Sequence, residues 1–314
     1  MYLKRILLPI LVVLPLWCLN GYSLATETET TEVNQKDTEA EQQTEEQQYQ
    51  AWAQELLNSL ERQTGQIALP NGVANLVIPD DFYYLSPEDT EKVLVEVWGN
   101  PPQSQLLGMI FPAAMTPFDQ EAWAVTISYE EDGYVSDADA ADIDYNELLV
   151  QMQEDTAAAS VERIKQGYQA IELVGWAAEP YYAVSPNKLH WAKEIKFDQQ
   201  AVNTLNYNIR MLGRKGVLVL NFIATIDQKP LIETNLTQVL AMADFTQGQK
   251  YSDFDPDLDE VAAYGLGALV AGKVIAKTGL LAAALIFLKK FGVIILLAIG
   301  VFVQRLFKKK KSTS

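Results

Sequence analysis

Apolar and polar positions alternate along the stretch "LHWAKEIKF". Leu189, Trp191, Lys193, Ile195 and Phe197 fall on one side of a strand, and His190, Ala192, Glu194 and Lys196 on the other. "LNYNIRMLGRKGVLVLNFIA" repeats the pattern in two arms around Gly213 to Gly216, which predicts a hairpin. Strands are also expected at Leu106 to Phe111, at Ala122 to Tyr129 and in "IELVGWAAEP". Asn71-Gly72 after Pro70 sits between two apolar runs and predicts a further hairpin.

Helical spacing appears four times. Tyr49, Trp52, Ala53, Leu56, Leu57 and Leu60 form one apolar stripe. Ser86-Pro87-Glu88-Asp89 reads as an N-cap, a proline at the first helical position and early acids, with a stop near Gly99. Ile143 to Lys165 carries Tyr145, Leu148, Leu149, Met152, Thr156 and Ala159 on one face, with Gly167 as its stop. Leu231 to Phe245 is the fourth. Turns rather than crossover helices join most strands. The expected fold is therefore α+β, a mostly antiparallel sheet with helices packed on one face, plus a C-terminal transmembrane helix.

Both ends depart from the globular pattern. Residues 1–25 join Lys4 and Arg5 to an apolar core and the small residues Ser23 and Ala25, the pattern of a cleaved signal peptide. Residues 26–48 are Glu, Gln and Thr with little apolar surface and are expected to be a disordered acidic linker. An exported α+β domain over 49–258 follows. Residues 259–288 form an apolar Gly/Ala-rich stretch, expected to be a membrane-proximal helix. Ala268, Gly272 and Ala276 recur there every four residues, a spacing that lets helices approach closely in a membrane. Residues 289–307 are expected to span the bilayer, and Lys308, Lys309, Lys310 and Lys311 to stop transfer within a cytoplasmic tail, 308–314.

Charge and cysteine narrow the chemistry. The 314 residues carry a formal charge of −17, which argues against nucleic acid. Cys18 is the single cysteine and lies within the expected leader, so no disulfide or thiolate chemistry is expected beyond it.

Catalytic patterns fail on context. "GALVAGKV" ends in Val274 where a phosphate loop needs Ser or Thr. Ser185 to Lys188 and Lys277 to Gly279 match S-x-x-K and K-T-G, but not on the elements those motifs need. Neither aspartate run, 137–144 or 253–259, has both the tight-turn glycine and the bidentate terminal Glu of a calcium loop, which leaves open only weak calcium or magnesium binding. His190 is the sole histidine, which leaves no metal site and no triad context. No cofactor, metal or catalytic residue is expected. Tyr182, Trp191, Glu194 and Arg210 are the candidate binding residues.

The stretches "EKVLVEVWGNPP", "SYEEDGYV", "IDYNELL", "IELVGWA", "LHWAKEIKF", "LNYNIRMLGRKGVLVLNFIA" and "DFDPDLDEVAAYGLGALVAG" resemble a bacterial family known only as a domain of unknown function (family 2167) and described as predicted membrane-anchored proteins. The resemblance implies an exported, membrane-attached protein. It supplies no reaction and no site residues.

The resulting expectation is an envelope protein at the bacterial inner membrane, with its main domain periplasmic and its C-terminus cytoplasmic. Its partners would be the lipid bilayer and a second copy or another membrane protein. Its role would be a non-enzymatic binding or assembly module. One alternative is a cofactor-free hydrolase using Glu179 or Glu194 near Lys193 and Arg210. The other is an accessory subunit of a membrane transporter, suggested by Lys273 and Lys277 within an apolar stretch.

Overall fold

Helix and strand succeed one another much as the alternation requires. A computed structural model describes residues 28–103, 105–198 and 200–272, with backbone only over 28–43. The chain divides between Glu55 and Leu56 into two units. Helix α1 runs over Thr28–Ser59 and so continues back through the stretch expected to be without structure. Glu, Gln and Ala are good helix formers, and their propensity supports a helix there without any apolar face.

In the second unit, β1 (Gly65–Ala68) and β2 (Ala74–Ile78) form the expected hairpin, with Gly72 at φ +69°. β10 (Ala243–Phe245) joins β2 to make a three-stranded antiparallel sheet, ordered β1-β2-β10. The larger sheet has seven antiparallel strands, ordered β3-β4-β5-β9-β8-β7-β6. These are β3 (Phe82–Leu85), β4 (Leu106–Pro112), β5 (Ala124–Glu130), β6 (Ile171–Ala183), β7 (Lys188–Phe197), β8 (Thr204–Leu212) and β9 (Val217–Thr225).

Caps set the helix boundaries. Ser86 caps α2 (Pro87–Lys92), its hydroxyl accepting from the Asp89 N–H at 3.2 Å. A wider turn at Val93–Val97 continues α2 until Gly99 at φ +64° ends it. Asp144 caps α3 (Tyr145–Lys165) by accepting from the N–H groups of Asn146 and Glu147. Asp144 thus spares two of the orphan donors at that helix start. α3 is tied to edge strand β6 by Ser160 Oγ, which accepts from Ile171 N, and by Gln153 Nε2, which donates to the carbonyls of Leu173 and Val174.

Both faces of the large sheet are covered, where helices were expected on one face only. α4 (Lys229–Met242) and the small sheet pack Ile232, Val239, Met242 and Leu76 against Ile127, Tyr207, Leu220 and Phe222. On the opposite face α3 and α5 (Leu266–Ala271) pack Leu148, Met152, Leu266 and Leu269 against Leu189, Trp191, Val217 and Val219. The reason is visible in β9. Val217, Leu218, Val219 and Leu220 are all buried, so neither face can meet water.

The expected fold class needs one correction. The α+β class and the antiparallel sheets stand, but the C-terminal transmembrane helix does not. Among the described residues no helix is long and apolar enough to cross a membrane. The stretch 289–307 and the lysines Lys308–Lys311 lie outside the described residues. The apolar side chains of α5 pack against the sheet instead, and Gly272 ends that helix in the left-handed region at φ +78°.

Candidate functional site

A polar row crosses the middle of the large sheet on its α3/α5 face. Thr126 on β5 opposes Asn221 on β9, Asn221 opposes Asn208 on β8, and Asn208 opposes Trp191 on β7. Strand alternation puts Arg210 and Asn206 beside Asn208 on the same face, and Lys193 beside Trp191. Lys193 is directly opposite Asn206 on β8 and Trp176 on β6. Four strands therefore bring two cations, three amides, a hydroxyl and an indole onto one surface. Trp191 and Asn208 are buried, while Lys193, Asn206 and Asn221 are partly exposed, so the surface opens at the Lys193 side.

Several of these groups lack partners. Nε and Nη1 of Arg210, Nε1 of Trp191 and Oδ1 of Asn221 are buried and have no hydrogen-bond partner among the described residues. Such groups are uncommon in folded proteins, because each costs about 1–3 kcal/mol when left unmade. The Arg210 Cζ lies 5.1 Å from the centre of the Trp191 ring. Its one carboxylate neighbour is Glu130, 3.9 Å from Nη2 and beyond hydrogen-bond reach. Burial lowers the affinity of Arg210 for its proton, and Glu130 offsets part of that. Burial, with the Arg210 charge beside it, holds the Lys193 ammonium down at about 8. The remaining amides serve each other: Asn208 Nδ2 donates to the Asn206 carbonyl and to Asn206 Oδ1, at 3.0 and 2.9 Å.

The four candidate binding residues separate. Trp191 and Arg210 meet in this cluster. Tyr182 is engaged elsewhere, its hydroxyl donating to Asp137 and accepting from Asn187. Glu194 faces the other side of the sheet and accepts from Asn203 Nδ2 at 2.6 Å. Adjacent residues of a strand point to opposite faces, so Glu194 is on the far side from Lys193 and Arg210. Glu179 is on the exposed part of the edge strand β6. The carboxylates invoked for a hydrolase are thus not gathered with the cations.

Other candidates have structural duties. Ala268 is buried in the core and Gly272 is the left-handed cap of α5, so they do not share an exposed helical face; Ala276 lies outside the described residues. His190 is buried, stacked on Tyr181 at 4.7 Å, and burial with nearby Lys188 pushes its imidazole down to about 4. Asp139 accepts from the N–H groups of Leu266 and Gly267 and so caps α5. Asp259 pairs with Arg214 at 2.6 Å. Among the described residues no group of three or more His, Cys, Asp or Glu side chains is placed to hold a metal.

Sequence reasoning missed Thr126, Asn206, Asn208 and Asn221. One signal was present. Asn206, Asn208 and Arg210 are spaced by two in β8, and Asn221 interrupts the apolar run of β9.

The model of a family described as a protein of unknown function (DUF2167) matches residues 61–300, more than half of the chain. No curated protein matches. Among solved structures, cyanobacterial PsbP (CyanoP) from Synechocystis sp. PCC 6803 is similar at 12% identity, over 60% of this chain and 92% of that one, with a TM-score of 0.32. The Ran-binding protein Mog1p of Saccharomyces cerevisiae is similar at 10% identity, over 63% of this chain and 100% of that one, with a TM-score of 0.30. Scores this low carry no argument about fold or function.

Proposed function

This chain belongs to the family of proteins of unknown function DUF2167, and from that premise we propose that it is a non-enzymatic binding module. The ligand would meet the large sheet at Trp191, Lys193 and Arg210. One observation carries the reading. Buried N–H donors of Arg210 and Trp191 have no acceptor among the described residues, and they lie beside a partly exposed lysine on the neighbouring strands β7 and β8. Rigid strands hold such groups in place better than loops do. A fold that leaves several buried donors unpaired sacrifices stability, and sites that bind ligands are where such sacrifices collect.

The test is a thermal-shift screen of the full-length chain and of K193M against acidic, neutral and basic small molecules. Ligands that raise the unfolding temperature of the first but not of the second support the reading. A screen in which no compound of any class distinguishes the two proteins overturns it.

We propose also that the module works outside the cytoplasm, on the strength of the residue pattern over 1–25. A mature N-terminus immediately after Ala25 supports export. A purified chain that retains Met1 to Ala25 contradicts it.

A further inference from the structure

We propose that the ligand of this surface presents an oxyanion, a carboxylate or a phosphate, held between Arg210 and Lys193 with the Trp191 indole N–H as a third donor. This rests on the reading of the same face as a binding surface.

The inventory of unpaired atoms sets the chemistry. Three of the four buried atoms without partners on this face are N–H donors, two on Arg210 and one on Trp191. A neutral apolar ligand would leave all three unmade, and a cation would be repelled by two like charges. An oxyanion has several lone pairs within one small group and can accept from a guanidinium edge and an indole together. The single unpaired acceptor, Asn221 Oδ1, takes a hydroxyl donor of the same molecule.

Charge distribution points the same way. The chain has 24 Lys and Arg against 41 Asp and Glu. Carboxylates are abundant, and among the described residues six other cations form seven ion pairs with them, as Lys92 does with Asp89 at 2.8 Å and Arg214 with Asp259 at 2.6 Å. Lys193 has no ion-pair partner among the described residues, and the Glu130 carboxylate is 3.9 Å from Arg210. Arg210 thus has one carboxylate, beyond hydrogen-bond reach, and Lys193 has none paired with it among the described residues. Burying a second cation there is unfavourable unless an anion joins it. The Trp191 ring under Arg210 holds the guanidinium plane in position before the anion arrives.

The experiment titrates the full-length chain with sodium phosphate and, separately, sodium acetate, against sodium chloride at matched ionic strength. Trp fluorescence and unfolding temperature are read for wild type, K193M and R210Q. Millimolar phosphate or acetate should stabilise the wild type beyond chloride. Each variant should weaken that effect at least about tenfold, the worth of one charge-assisted contact. Response to phosphate alone or to acetate alone identifies the source of the oxyanion. K193M changes a side chain at the open end, so it keeps the test valid if R210Q folds poorly. Wild type that responds no more to either anion than to chloride, or variants that respond as wild type does, overturn the proposal. Neutral compounds that bind and lose affinity in K193M, with no anion binding, also overturn it while leaving the binding surface in place.

Discussion

Arg210 lies over Trp191, with its guanidinium carbon 5.1 Å from the ring centre, and both residues keep buried N–H groups that no described residue accepts. The pair links β8 to β7 within the large sheet. Trp191 is 1% exposed and belongs to the α3/α5 core. The residue therefore serves two purposes, and substitutions separate them.

Trp191→Phe keeps an aromatic ring and deletes the unpaired donor. The smaller ring loses packing, and deleting the donor removes a desolvation cost of similar size. Its stability should stay within about 1 kcal/mol of wild type, whereas Trp191→Ala should lose about 3–5 kcal/mol. Urea unfolding of both proteins measures this, and equal losses would show that the indole N–H carries no penalty.

Lys193 should lose its proton near pH 8, since burial and Arg210 both disfavour its charge. An ordinary lysine does so at about 10.4. Acylation of Lys193, followed by mass spectrometry across pH, should reach half its maximum near 8 and move upward in R210Q. The linkage sign follows from the lowered value. Between pH 8 and about 10.4 the unfolded chain binds more protons than the folded one, so this group's contribution to stability rises with pH in that window. Half-maximal acylation near 10.4 would contradict the environment described.

Asp139 holds α5 by accepting from the Leu266 and Gly267 N–H groups, at 3.1 and 3.4 Å. Asp139→Ala should cost about 1 kcal/mol, the usual worth of a helix cap. Amide exchange at Leu266–Ala271 should quicken more than exchange in β8. Unchanged protection of α5 would mean that the Leu266 and Leu269 contacts alone hold it.

Gly108 sits at a bulge in β4 with φ +137°, and a side-chain carbon there would collide with the Tyr84 ring. The Tyr84 hydroxyl donates to the Leu107 carbonyl at 2.6 Å, so the ring cannot swing away without breaking that bond. Gly108→Ala should cost several kcal/mol, about 2–4, from backbone strain and overpacking together. A thermal melt within a degree or two of wild type would show that the bulge relaxes freely.

Much of the fold was legible residue by residue. Ser86 and Gly167 mark helix ends because a side chain, or the lack of one, acts on the nearest backbone groups, whereas Asp144 as the cap of α3 was not read from the sequence. The Asn71-Gly72 turn and the 213–216 turn were equally local. The covering of both sheet faces was not local, although the unbroken apolar run of β9 hinted at it. Half of the candidate site was legible as well. The alternation of β7 already put Trp191 and Lys193 together and Glu194 opposite them.

The sequence by itself determined which residues share a strand face and where several caps and turns fall, because backbone geometry acts over a few neighbouring positions; it did not place the start of α1 or the break between α4 and β10. Only the tertiary structure decided that Asn221 would face Asn208, that Arg210 would reach Trp191, and that Tyr182 would spend its hydroxyl on Asp137 and Asn187. Those pairings depend on the order and register of strands far apart in the chain. Register is chosen by the packing of whole faces, a property that no short stretch of sequence contains.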